Sequence, residues 1–127
     1  MNELIYNILS TNKDLANLVG NNIFAVIAPP TVTGDYLVYN ITGEDEEKTK
    51  DCVIATITNI SITIVSDVLA RADDIKEKVE KAMKRRGLIS NNYVQHITRV
   101  GVSQDYLEDK MVVTLEYNIK CSTTISL

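Results

Sequence analysis

The sequence has no tryptophan, one phenylalanine, one histidine, two cysteines and two adjacent prolines in 127 residues. Each scarcity excludes something. A lone histidine, His96, leaves no second imidazole for a metal site, and Cys52 and Cys121 have no metal-like spacing. In a chain made in the cytosol, both cysteines are expected to be reduced, small, strand-borne residues; joining them would require adjacent strand ends. No apolar run approaches the roughly 18 residues of a membrane span. Met1-Asn2-Glu3-Leu4 has no basic region ahead of a long apolar stretch, so no signal peptide is expected. Basic surplus is missing too: the net charge of −4 argues against a nucleic-acid-binding surface, which needs a basic patch.

Catalytic motifs are equally scarce. The sequence contains no Gly-x-Ser-x-Gly, phosphate loop or Gly-x-Gly-x-x-Gly. His96 lies mid-strand between Gln95 and Ile97 and reads as a structural residue, because a general base needs a nucleophile within hydrogen-bond reach. Asp73 and Asp74 are consecutive on a helix, so their carboxylates diverge rather than converge on a substrate. Glu44-Asp45-Glu46-Glu47 has oxygen ligands for a hard cation but lacks the alternating spacing and turn glycine of a calcium loop. No enzyme activity, cofactor or metal is expected.

What is present is a core. Hydrophobic residues make up 45% of the chain, and 127 residues make a single domain over 1–127. The organising stretch runs from Cys52 to Arg86. Val53–Val65 is almost wholly β-branched, which suits a pleated, packed surface. The chain turns at Ser66-Asp67 and continues as a helix to Arg86, with Val68, Ala72, Ile75, Val79, Ala82 and Met83 at helical spacing and Gly87 as the stop. A strand feeding directly into an amphipathic helix folds that helix back on its own sheet. The apolar phase of the strand slips, from Val53, Ala55 and Ile57 to Ile60, Ile62 and Ile64. Either a bulge or bend near Thr58-Asn59 or a strand buried on both faces accounts for this.

Around this unit the pattern predicts a helix over Asn2–Leu18, interrupted at Ser10-Thr11-Asn12, where Thr11 or Asn12 can cap a second short turn, and stopped by Gly20. Further strands are predicted at Ile23–Ile27, Tyr36–Thr42, Tyr93–Gln104 and Met111–Cys121, the last alternating cleanly. Ala28–Asp35 and Gln104–Asp109 read as loops. Gly43–Asp51, with its four consecutive acids, reads as a mobile, solvated hairpin loop. The expected fold is α+β: a single, mostly antiparallel sheet of four to five strands with two helices packed on one face. The hydroxyl-rich strand positions, including Thr56, Thr58, Asn59, Ser61 and Thr63, are candidates for subunit contact, because two long strands carry more apolar surface than two helices cover.

The element order resembles that of the tail completion, or tail terminator, proteins of long-tailed bacteriophages and the related prophage minor tail components. The resemblance covers nearly the whole chain and rests on several stretches: Asp14-Leu15-Ala16-Asn17-Leu18-Val19-Gly20-Asn21-Asn22-Ile23-Phe24, Ala28-Pro29-Pro30, Tyr36-Leu37-Val38-Tyr39, and Ile60–Val65 followed by Ser66–Asp73. The sequence departs from the pattern at Asp35, where a proline often stands, and lacks the tryptophan common near the strand-to-helix junction. The resemblance implies a non-enzymatic virion protein, assembled in the bacterial cytoplasm, that forms a hexameric ring. That ring caps the tail tube, ends its polymerisation and joins the tail to the head connector, with DNA passing through the lumen without specific binding. Its partners are then further copies, the tail tube protein and connector proteins, with no membrane. Glu44, Asp45, Glu46 and Glu47 are candidates to face the lumen or tube. A head-tail joining protein, and a small-molecule-binding α+β regulatory domain, are the alternatives.

Overall fold

The structure, a computed structural model, describes residues 2–48 and 53–122. Its elements are α1 (Asn2–Ser10), α2 (Lys13–Val19), β1 (Ile23–Ala25), β2 (Tyr36–Lys48), β3 (Val53–Ser66), α3 (Leu69–Ala82), β4 (Gly87–Ile89), β5 (Asn92–Leu107) and β6 (Lys110–Ser122). The six strands form one sheet in the order β1-β2-β3-β6-β5-β4. All neighbours are antiparallel except β1 and β2. The expected α+β class holds, with three helices and six strands where two helices and four to five strands were expected.

The extra helix comes from the interruption at Ser10-Thr11-Asn12. Asn12 caps α2 by accepting a hydrogen bond from the Leu15 amide at 2.9 Å, and Gly20 ends it at φ 59°. A cap that starts a new helix also ends the old one, so one amphipathic stretch becomes α1 and α2. The extra strand is β4, three residues that begin at Gly87 itself. α3 ends at Ala82 rather than Arg86, placing Lys84, Arg85 and Arg86 beyond the helix. Along α3, Glu77 pairs with Lys81 at 3.2 Å, while Glu80 turns to Lys76 and Arg99.

All three helices cover one face of the sheet. Leu4, Ile5, Ile8 and Leu9 of α1, Leu15 and Val19 of α2, and Ala72, Ile75, Val79 and Ala82 of α3 are buried. They pack in one cluster with Leu37, Tyr39, Ile60, Ile62, Ile64, Val113, Leu115, Tyr117 and Ile119. Burying a side chain of this size is worth about 1.5–3 kcal/mol, so this face holds the fold together. The other face carries no helix. Its residues alternate with the core positions and include Asn40, Asn59, Ser61, Thr63, Thr98, Ser103, Thr114, Glu116 and Asn118.

The phase slip in β3 has a different origin from a bulge in that strand. β3 pairs with β6 without interruption from Ala55 to Ser66. The extra residue is Thr42, in the partner strand, opposite Asn59 and Ile60. Because β3 is continuous, Thr58 keeps the inward phase of Ile60, Ile62 and Ile64 and is fully buried, while Ala55 and Ile57 take the open face. Further register shifts fall at Ile54 of β3 and Gln95 of β5, and Val100 of β5 is a bulge residue like Thr42, opposite Glu116 and Tyr117 of β6. Since Ile60 pairs with Tyr117, the two bulges sit at the same height across four strands. Each is followed by a glycine, Gly43 and Gly101. A Cβ on Gly101 would lie 2.9 Å from the Glu116 carboxylate, so a side chain there would push that exposed carboxylate aside.

The acidic run is a strand. Glu44 pairs with Thr58, Asp45 with Ile57, Glu46 with Thr56 and Glu47 with Ala55, and β2 runs on to Lys48. This corrects the expectation of a loop from Gly43. β-branched neighbours in β3 supply a paired backbone that overrides the poor strand propensity of Glu and Asp. The expected loop Gln104–Asp109 is also mostly strand: β5 extends to Leu107 and turns tightly at Glu108 and Asp109, both at positive φ. Cys52 lies outside the described residues, so only Cys121 can be placed, buried on the helix-covered face beside Thr56.

Candidate functional site

The sheet ends in two steps rather than two straight edges. Call the end with Lys48, Asn92 and Ser122 the acid end, and the end with Tyr36, Ser66 and the Glu108–Asp109 turn the hairpin end. β1 covers β2 only at Leu37, Val38 and Tyr39, near the hairpin end. β4 covers β5 only at Asn92, Tyr93 and Val94, at the acid end. Among the described residues, no strand pairs with the outer side of β2 from Asn40 to Lys48, or of β5 from Gln95 to Leu107. The two free edges are long and lie diagonally across the sheet. An unpaired edge of this length is a template for another strand.

The β2 edge is opened by a turn. The Val26 amide donates to the Tyr39 carbonyl at 2.8 Å, and the Ile27 amide then bonds back to the Ala25 carbonyl at 2.7 Å. That three-residue turn holds Val26 at φ 68°, a strained conformation for a β-branched residue. It takes the chain off the sheet just where β1 would otherwise have continued along Asn40 and Ile41.

The chemistry of the two edges is opposite. Along β2, Glu44 and Glu46 share the helix-covered face with Thr58 and Thr56, while Asp45 and Glu47 share the open face with Ile57 and Ala55. Glu47 reaches Lys120 at 2.8 Å and Glu46 reaches Lys48 at 3.6 Å. Beside β5, the segment after α3 brings Lys84, Arg85 and Arg86 against His96 and Ile97, and Arg99 stands next along the strand. Arg99 pairs with Glu80, so this basic rim carries one internal counter-charge. Sequence reasoning missed the rim, because Lys84–Arg86 read as the end of a helix and Arg99 as an isolated strand residue.

The candidate subunit-contact residues separate. β3 is central, paired on both sides, so it offers faces but no edge. Thr58 is fully buried beneath the helices, which corrects its assignment as a contact position: it touches only its own chain. Thr56 lies on the helix-covered side near the acid end, and Asn59, Ser61 and Thr63 lie on the open face. The open face also bears a groove of about 290 Å³ where the two bulges bend the sheet, lined by Thr42, Asn59, Val100, Glu116 and Asn118. His96 is exposed, with Nδ1 3.3 Å from the Thr98 hydroxyl and no carboxylate partner.

Two buried polar atoms mark the same height of the sheet. The Thr58 and Tyr117 hydroxyls are buried without a hydrogen-bond partner. Burial pushes the Tyr117 phenol up to about 12, helped by nearby Glu80 and opposed by Arg99. At the hairpin end, the Asp35 carboxylate is almost wholly buried. It accepts from the Ser66 hydroxyl at 2.9 Å and pairs with the Arg71 guanidinium at 3.2 Å. The position where the resembled pattern has proline thus ties the loop before β2 to the start of α3.

Among the described residues, no cluster of three metal-ligating side chains occurs and no helix is long and apolar enough to cross a membrane. The grooves are shallow and open. A groove of about 290 Å³ between α3 and β5, lined by Met83, Ile97 and Tyr117 with Glu80, Lys84 and Arg99 at its mouth, is typical of them.

No protein-family model and no curated protein sequence matches the chain. Solved structures do. One is a chain of the virion of a native gene transfer agent particle, with a TM-score of 0.78 and 18% identity over 94% of this chain and 92% of that one. Another aligns over 100% of this chain and 99% of its own with a TM-score of 0.62 and 9% identity. Both likenesses extend over nearly the whole of each chain, so the overall fold is shared.

Proposed function

We propose that the chain is a non-enzymatic structural protein of a phage-like virion. Copies associate head to tail into a ring, six-membered in the family it resembles. The ring caps the tail tube, ends its growth and joins it to the head connector. The observation that carries this reading is the whole-chain structural likeness to a protein of a gene transfer agent virion. The site supports it: two free, unlike edges on one rigid sheet are what a head-to-tail assembly uses.

The open face suits a lumen through which DNA moves. It is rich in hydroxyls and amides, and its Lys120 is paired with Glu47. Without unpaired basic residues in a row, a surface does not hold the phosphate backbone. Asp45 and Glu47 belong to this face and would line the lumen or contact the tube, whereas Glu44 and Glu46 face the other way. The protein acts in the virion tail after assembly in the bacterial cytoplasm. The same ring placed one step further towards the head would be a head-tail joining protein. The rival regulatory-domain reading needs a closed apolar pocket, and the described residues form only open grooves.

The test is light scattering across a concentration series, with electron microscopy of the product and of the protein mixed with tail tubes. Rings, and rings at tube ends, are the expected result. A monomer at every concentration that leaves tube length unchanged would overturn the reading.

A further inference from the structure

The two free edges fit each other in direction, length, step and charge. In the sheet, β2 runs antiparallel to β3, β3 to β6, and β6 to β5. β2 and β5 therefore run in opposite directions. A second copy placed beside the first in the same orientation brings its β2 antiparallel to the first copy's β5, the pairing already used through most of the sheet. The uncovered lengths are comparable, Asn40–Lys48 against Gln95–Leu107. The covering strands sit at opposite corners. When the second copy is displaced towards the hairpin end, β4 of the first closes over the Lys48 end of the neighbouring β2, and β1 of the second closes under the Leu107 end of β5. The steps interlock and limit sliding.

That register also sets charges in place. The acid end of the neighbouring β2, with Glu44 to Glu47, meets the start of the free β5 edge just past β4. There Lys84, Arg86 and Arg99 line the helix-covered side. Glu44 and Glu46 lie on that same side. The reverse pairings are disfavoured: β2 against β2 sets four acids against four acids.

We infer that successive copies join by strand addition, Asn40–Lys48 of one against Gln95–Leu107 of the next, with Glu44 and Glu46 of one copy against Lys84, Arg86 and Arg99 of the next. This rests on the ring reading above and names the contact that builds it. The surface is a second copy's, and main-chain hydrogen bonds supply affinity while the charges choose the partner edge. The strained turn at Val26 keeps the acceptor edge clear.

Two double variants test it, both at exposed positions away from the core: E44K/E46K and K84E/R86E. Circular dichroism and thermal melting establish that each is folded. Each alone is expected to shift the association midpoint to roughly a hundredfold higher concentration. The first variant has two basic edges and the second two acidic ones, so a one-to-one mixture is expected to regain wild-type assembly with the variants alternating. Hydrogen exchange on the wild type is expected to show amides of Asn40–Lys48 and Gln95–Leu107 becoming protected together on assembly. Wild-type oligomers that persist unchanged in both variants, or a folded mixture that does not assemble, would overturn the edge contact while leaving the ring reading intact. A wild type that stays monomeric to about 1 mM, with or without tail tubes, would overturn both.

Discussion

At the scale of single residues, the structure carries local costs in three places. Val26 holds an exposed, β-branched side chain at φ 68°. Such strain costs of the order of 1–3 kcal/mol, and glycine has none of it at that angle. Val26→Gly is therefore expected to raise stability by about 1 kcal/mol after the extra entropy of glycine in the unfolded chain, read as a higher urea midpoint. No change, or a loss, would show that the turn is relaxed. The second cost is the Thr58 hydroxyl, buried without a partner. Replacing it with a methyl of the same shape removes a desolvation penalty of about 1 kcal/mol or more, so Thr58→Val is expected to stabilise. A destabilised Thr58→Val would show that the hydroxyl is bonded.

The third is Tyr117, and its consequence depends on pH. Its folded pKa is raised to about 12, above the roughly 10 of an unfolded tyrosine. A raised pKa means that the folded state favours the neutral phenol. Its contribution is complete below the unfolded value and is lost as pH rises from about 10 towards about 12. The wild type is expected to lose stability through that window, and Tyr117→Phe to lose less. Identical alkaline profiles for the two proteins would sink the assignment.

Among the elements, the loop before β2 and the start of α3 are held by one carboxylate. Asp35 is almost fully buried against Ser66 and Arg71. Asp35→Ala removes the Arg71 ion pair and the shorter of the Ser66 hydroxyl's two acceptors, leaving the Val68 carbonyl at 3.2 Å, and is expected to cost about 1–3 kcal/mol, measured by chemical denaturation. A loss under about 0.5 kcal/mol, as for an ordinary surface change, would refute the tie. Much of the element plan is visible in the sequence. Periodicity locates α3 and β6, Gly20 marks the end of α2, and Asn12 marks the cap that divides α1 from α2. What is hidden is pairing. Glu44–Glu47 have the local preference of a solvated loop, and only β3, many residues later, makes them a strand. The Lys84–Arg86 cluster likewise becomes a rim only because β5 returns beside it. The signals that were present are Thr42-Gly43 and Val100-Gly101: a β-branched residue followed by glycine inside a strand, which marks each bulge.

For the whole molecule, the sheet is closed to solvent by helices on one side and bent by bulges across the other. The two bulges at one height, Thr42 and Val100, give the open face a single transverse crease. Such a bend is built into the pairing of the backbones rather than into loop packing. If copies join through the unlike edges as proposed, their association is steered electrostatically and is expected to slow as salt rises, because the Debye length shortens from about 8 Å at physiological ionic strength to about 3 Å at 1 M. Stopped-flow light scattering at low and high salt checks this. An assembly rate indifferent to salt would place the recognition elsewhere.

The acidic strand edge has a further consequence for a chain that is still alone. A newly made chain carrying a bare strand edge is exposed to every other chain of its kind. Because that edge is crowded with carboxylates, two acceptor edges that drift together separate before their backbones can align. In the contact proposed above, the productive encounter is left to the mixed orientation. The acids thus act as a chemical polarity, giving an otherwise symmetrical-looking slab a head and a tail while it is still alone.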